Sequence, residues 1–187
     1  MYGGFVLLYP LIDILNHSNQ PGSTRYYRSN EEPPEQFVER MVGERQWGPA
    51  RIVLRSLVVS KPENIRINYQ LGLAEIWCRN AEIGLEYLGE AKRLGLESPE
   101  LHVAAGEGLM FLGQYQRALS NFQFALSLNP EVIDPYLKSA LALEAMGEFN
   151  TAIDFLEAAI TLEPANKSAQ ILMESMLMKK YQPTSIN

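Results

Sequence analysis

Imidazole and thiol chemistry in this chain rests on three side chains, His17, His102 and Cys78. A transition-metal site draws three or four nitrogen and sulfur ligands at short spacing, and neither histidine has a cysteine or a second histidine beside it. Gly106 and Gly108 stand in a GEG triplet inside a helical pattern, whereas a phosphate-cradling loop lies between a strand and a helix. Acid pairs such as Glu31 and Glu32 read as solvated surface. The residues therefore predict no enzyme, no cofactor and no metal. The lone Cys78 has no partner for an internal disulfide, which fits a reducing compartment and a cytoplasmic (intracellular) protein. Net charge is −6, and the 16 basic residues neither cluster nor alternate with aromatics, which argues against nucleic acid as a partner.

The elements that hold these residues repeat every 34 residues, the spacing between Pro130 and Pro164. That step brings Gly72, Gly106 and Ala140 into one column, then Gly84, Ala118 and Ala152, then Ala91, Ala125 and Ala159. Large residues fall between them: Leu88, Phe122 and Leu156 in one column, and Leu94, Leu128 and Leu162 in another. Small residues two turns apart on a helix permit a close approach, and the large ones fill the space beside it. Gly113 and Gly147 mark turns, and Pro130 and Pro164 stop helices, because proline cannot continue the ladder. A fixed period of this length means stacked supersecondary units, since one unit alone cannot cover its own apolar face.

Units 99–132 and 133–166 resemble tetratricopeptide repeats, whose helix–turn–helix pattern carries small, large, aromatic and proline residues in this order. Unit 65–98 keeps Gly72, Leu88 and Ala91, with Arg79 and Asn80 at its turn and Leu96 in place of the proline. Unit 31–64 is a degenerate repeat: Trp47, Ala50, Leu54 and Pro62 fit, while Val38 and Leu57 stand where small residues belong. Residues 167–187 give a capping helix and tail, with Ala169, Leu172, Met173 and Met176 on one face and residues 183–187 frayed. The expected fold is all-α, a right-handed α-solenoid of stacked helix–turn–helix repeats closed by that C-terminal helix.

Residues 1–30 form an N-terminal apolar segment and linker. The run at residues 5–15 (FVLLYPLIDIL) is too short to span a bilayer, which takes about 20 residues, and no basic residue precedes it as in an export signal. Residues 19–23 read as a turn. Residues 10–18 (PLIDILNHS) resemble the Asn-His stretch of SET-domain lysine methyltransferases, a resemblance that implies Asn16 and His17 as a donor-contacting pair. It covers nine residues. The rest of the chain is occupied by repeats and leaves no place for a donor pocket or a catalytic tyrosine.

In tetratricopeptide solenoids the first helices line the concave surface. The resemblance therefore implies a groove presenting Tyr69, Leu73, Ile76 and Trp77, then Val103, Glu107, Met110 and Phe111, then Leu137 and Leu141. Members that grip acidic chaperone tails use Lys, Asn and Arg there. Here Lys138 is the one nearby cation, so an acidic tail is not expected. The expected partner is a protein or peptide, an amphipathic helix or apolar extended segment anchored on Trp77, Phe111, Met110 and Leu137. Residues 5–15 are a candidate occupant of the same trough, and self-association through that segment or the C-terminal helix is a related expectation. The function expected is a non-catalytic interaction module, a scaffold, adaptor or assembly factor. The alternative is a recruiting or regulatory tail of a larger methyl- or glycosyl-transferring enzyme.

Overall fold

A computed structural model describes residues 32–181, and all of its regular structure is helical. The segments at 5–15, 10–18 and 19–23, and the tail from 183, lie outside the described residues. Four antiparallel hairpins follow one another: α1 (Pro34–Gly43) with α2 (Trp47–Ser60), α3 (Ile65–Trp77) with α4 (Ala81–Arg93), α5 (Pro99–Phe111) with α6 (Tyr115–Leu128), and α7 (Asp134–Met146) with α8 (Phe149–Leu162). A last helix, α9 (Lys167–Tyr181), packs on α7 and α8 and closes the stack.

Local sequence explains where the first helices begin. Asn64, Ser98 and Asn166 stand 34 residues apart or a multiple of it, and each side chain accepts from the backbone N–H three residues on, at 3.1, 3.3 and 3.0 Å. Those bonds satisfy donors that a helix start leaves unpaired. Pro34, Pro99 and Pro135 sit in first turns, where no N–H is needed.

The elbows are more regular than the sequence suggests. Arg45, Arg79, Gly113 and Gly147, in perfect register, all adopt left-handed backbone, with φ of 56°, 67°, 70° and 79°. The next residue of each closes a six-residue turn: Gln46 N–H on Met41 O, Asn80 on Glu75, Gln114 on Leu109 and Glu148 on Leu143, at 2.8–2.9 Å. This is the glycine-type helix stop, built twice here on arginine. The second helix of unit 65–98 uses it as well. Gly95 is left-handed at φ 108°, and Leu96 N–H reaches Ala91 O, so the unit halts without a proline.

The small-residue columns sit where helices touch. A Cβ placed on Gly72 would meet Leu88 at 2.8 Å, and one on Gly106 would meet the Phe122 ring at 2.2 Å. A Cβ on Gly84 would lie 2.7 Å from the Gly72 carbonyl oxygen, a backbone atom that cannot swing aside. Ala140 and Leu156, the matching pair in the last unit, are both fully buried. In the first hairpin Val38 is buried against α2, so that pair meets through a larger side chain than its neighbours do. The core runs lengthwise in successive clusters shared between adjoining hairpins.

The capping helix follows the register of a first helix. Ala169 and Met176 are fully buried, and Leu172 and Met173 pack beside them. Ile171 and Met178 stay 65% and 67% exposed, so the apolar character of α9 continues onto an open face.

Three substitutions test this packing and the elbows. Gly84→Ala should lower stability by about 1–3 kcal/mol in chemical denaturation, the range for overfilled contacts. Gly89→Ala, with nothing within 4 Å of its added methyl, should raise it by roughly 0.5–1 kcal/mol. Arg45→Gly should stabilise by about 1 kcal/mol by relieving left-handed strain, read as a higher denaturation midpoint.

Candidate functional site

Helix periodicity decides which first-helix residues reach the concave face. A residue turns about 100° from its predecessor, so relative to Gly72, which faces α4, Tyr69 lies about 60° round, Leu73 about 100° and Trp77 about 140°. Ile76 lies only about 40° from that contact, and it is fully buried. This corrects the sequence expectation for Ile76: its side chain packs with Leu88, Ala91 and Leu101 and does not face the groove.

Two adjoining cavities open on the first helices. The upper, about 280 Å³, lies between α3, α5 and the start of α7. Its floor is Leu73, Val103 and Ala104, and its rim carries Tyr69, Glu100, Glu107 and Asp134. The lower, about 140 Å³, is bounded by Trp77, Met110, Phe111 and Leu141, with Glu107 and Lys138 at its edge. Glu107 lines both cavities, which together draw on first helices of three hairpins, α3, α5 and α7. Leu137 lines neither cavity; it is half-buried between the last two core clusters. Pro99, Val132 and Asp134 line the upper cavity, and sequence reasoning did not select them because they come from helix starts and a loop.

Aromatic rings continue the apolar lining along one edge. Trp47 and Trp77 stack with centroids 6.2 Å apart and planes inclined by 14°. Trp77 meets Phe111 edge-on at 5.8 Å, and the Arg79 guanidinium lies 5.0 Å from the Phe111 centroid. Such pairs fix ring orientation while leaving faces open. Trp77 and Phe111 remain 42% and 41% exposed.

Charge is arranged unevenly. The Lys138 ammonium is 2.5 Å from Glu107 and 3.4 Å from Asp134, bridging α5 and α7. Burial opposes its charge, but bonds to Glu107 and then Asp134 more than offset that and hold its pKa above the ordinary lysine value. Burial first, and the Glu100 and Glu107 carboxylates second, push the Tyr69 phenol up to about 12. Lys179 pairs with Glu144 across α9 and α7.

Elsewhere the titratable groups serve packing. Glu75 is fully buried at a register position held by Met41, Leu109 and Leu143 in the other units. Arg55 Nε and Asn80 Nδ2 donate to it at 2.6 and 2.8 Å, and Arg51 lies at 3.8 Å, tying α2 to α3. Cys78 is half-buried, and burial pushes its thiol up, which disfavours the reactive thiolate. His102 is buried against Glu97, 2.6 Å away. Among the described residues, no cluster of His, Cys, Asp and Glu could hold a metal ion, and no helix is long and apolar enough to cross a membrane.

Stacked antiparallel hairpins with a lined concave face define an α-solenoid. Residues 133–166 match the family described as tetratricopeptide repeat. The fold is similar to that of the protein MamA, with 22% identity, a TM-score of 0.67, and coverage of 76% of this chain and 84% of that one. It is also similar to YrrB, titled a TPR protein with an unusual peptide-binding site, at 18% identity and TM-score 0.63 over 79% of this chain and 76% of that one. A third likeness is the first TPR of Spaghetti (RPAP3) bound to the HSP90 peptide SRMEEVD, at 16% identity and TM-score 0.59 over 63% and 94%. One tetratricopeptide repeat is thus shown at residues 133–166, and the stacked-hairpin fold is shared with these solved structures.

The half-buried phenol supplies a check on the upper cavity. In an alkaline titration followed by ultraviolet absorbance, one tyrosine should ionise near pH 12, and that step should vanish in Tyr69→Phe. The unfolded phenol ionises near 10, so stability from this group should be intact below pH 10 and fall as the pH rises through 12.

Proposed function

We propose that this protein is a non-catalytic interaction module whose concave groove takes an apolar or amphipathic segment of a protein partner. One observation carries the reading. Trp77 and Phe111 stand two-fifths exposed, at 42% and 41%, beside Met110 and Leu141 in a concave cavity of about 140 Å³. Large rings held by neighbouring rings and left open to solvent are the usual anchors of a binding surface, because little conformational freedom remains to be lost when a partner arrives. The apolar floor of Leu73 and Val103 extends the same surface by about 280 Å³ of open volume.

Two relatives in fold support the choice of a peptide-like ligand: YrrB is described as having a peptide-binding site, and the RPAP3 domain is described as bound to an HSP90 peptide. The RPAP3 peptide ends in acidic residues. The groove here is rimmed by Glu100, Glu107 and Asp134, which would repel such a tail.

Peptides selected on the purified protein from a displayed random library test the assignment. Their affinity, measured by calorimetry, should fall at least about tenfold in the Trp77→Ala, Phe111→Ala double variant, with helicity unchanged by circular dichroism. Selected peptides that bind the double variant as tightly as the parent would overturn the groove as the working surface.

A further inference from the structure

We infer that the partner segment is basic as well as apolar: a lysine or arginine side chain enters the upper cavity while an apolar neighbour seats against Trp77 and Phe111. The inference rests on the groove reading above and names the chemistry of its occupant.

The upper cavity is built for a long side chain with a cationic tip. Leu73, Val103 and Ala104 make an apolar floor, and the carboxylates of Glu100, Glu107 and Asp134 rise around it. Lysine and arginine bury their methylene stems on such a floor while the charged head stays at the polar rim. Of the three carboxylates, Glu107 and Asp134 share the single Lys138 ammonium, at 2.5 and 3.4 Å. Among the described residues Glu100 has no cation within ion-pairing distance. Three negative charges therefore face one positive charge in a concave site, where low-dielectric walls focus the potential.

Lys138 itself gives the inference a second handle. It occupies the seam where the two cavities meet, and its head already rests on Glu107, as an incoming cation's would. Removing that ammonium releases Glu107 for the ligand. A site that merely collects positive charge through the overall charge of the molecule has no such residue. The Tyr69 hydroxyl sits on the same rim and can donate or accept beside the incoming head group.

The probes are amphipathic helical peptides of roughly 14 residues, about four turns, made of leucine with lysine, and the same sequence with every lysine replaced by glutamine or by glutamate. Binding to the full chain is read by calorimetry at two salt concentrations. The lysine peptide should bind tightest, the glutamine peptide about tenfold weaker, and the glutamate peptide not measurably. Glu100→Gln with Asp134→Asn should cost the lysine peptide about tenfold and leave the glutamine peptide unchanged. Asp154→Asn with Glu157→Gln removes the same charge from exposed positions of α8 and should change neither by more than about twofold. Lys138→Gln should tighten the lysine peptide several-fold.

Equal losses in the two charge-removal pairs would assign the attraction to net charge and overturn the inference. Indifference of the lysine peptide to Glu100 and Asp134 would overturn it too. In either case, a glutamine peptide that still depends on Trp77 and Phe111 leaves the groove standing with a neutral occupant. Independence from those rings refutes the groove reading itself.

Discussion

In three of the four hairpins the two helices meet where the first offers only a hydrogen or a methyl, and that contact sets the direction of every other side chain on it. Leu88 fills the space over Gly72 and the Phe122 ring the space over Gly106. Once those faces are locked together, helix geometry alone turns Tyr69, Leu73 and Trp77 to the concave side, and Val103 and Glu107 follow one unit later. A first helix that rotated to admit a larger residue at Gly106 would carry Met110 and Phe111 away from their neighbours. The groove is therefore a consequence of core packing, not an addition to it.

The core was legible in the sequence because it is a matter of volume, and volume repeats. Gly84, Ala118 and Ala152 had to be small for the same reason in each unit, so one period revealed them all. The elbows were less legible. Left-handed backbone advertises itself when glycine adopts it, as at Gly113 and Gly147, and stays hidden when arginine does, as at Arg45 and Arg79. The six-residue turn was still formed, because the flanking hydrogen bonds and buried helices over-determine it. Ile76 was misplaced for a finer reason. At about 40° from the helix contact it lies on the border between core and groove, and an apolar side chain there suits either side. Its register mate Met110 falls on the open side and lines the lower cavity, so the boundary itself shifts between units.

Electrostatics add what periodicity cannot supply. Glu75 stands in a column of Met41, Leu109 and Leu143, and a carboxylate there would be ruinous without partners. Arg55, Arg51 and Asn80 provide them, and since both arginines come from α2, the pair of hairpins must dock in one relation for the charge to be met. Lys138 does the equivalent between α5 and α7, in the open groove instead of the core. Ion pairs of this kind contribute little net stability, yet they penalise misaligned stacking, which in a solenoid with only nearest-neighbour contacts is the principal alternative.

A further column shows how one junction departs from the others. Asn68 donates to Pro62 O at 2.7 Å, Tyr136 to Pro130 O at 3.1 Å and Gln170 to Pro164 O at 2.7 Å, three different side chains reaching the same carbonyl from the same place. Each clips the start of a first helix to the loop before it and satisfies a carbonyl that the preceding helix end leaves open. In unit 99–132 the position belongs to His102, and the carbonyl it would reach belongs to Leu96, not to a proline. The histidine turns instead to Glu97, with Lys92 beside both and Phe124 4.3 Å from its ring. The hydrogen bond from His102, and the charge of Lys92 after it, hold the Glu97 carboxyl below its ordinary pKa. Where Leu96 stands in place of the proline and Gly95 turns the chain, the neutral clip to the backbone gives way to an ionisable one, and Lys92 of α4 meets His102 of α5 across the second and third hairpins.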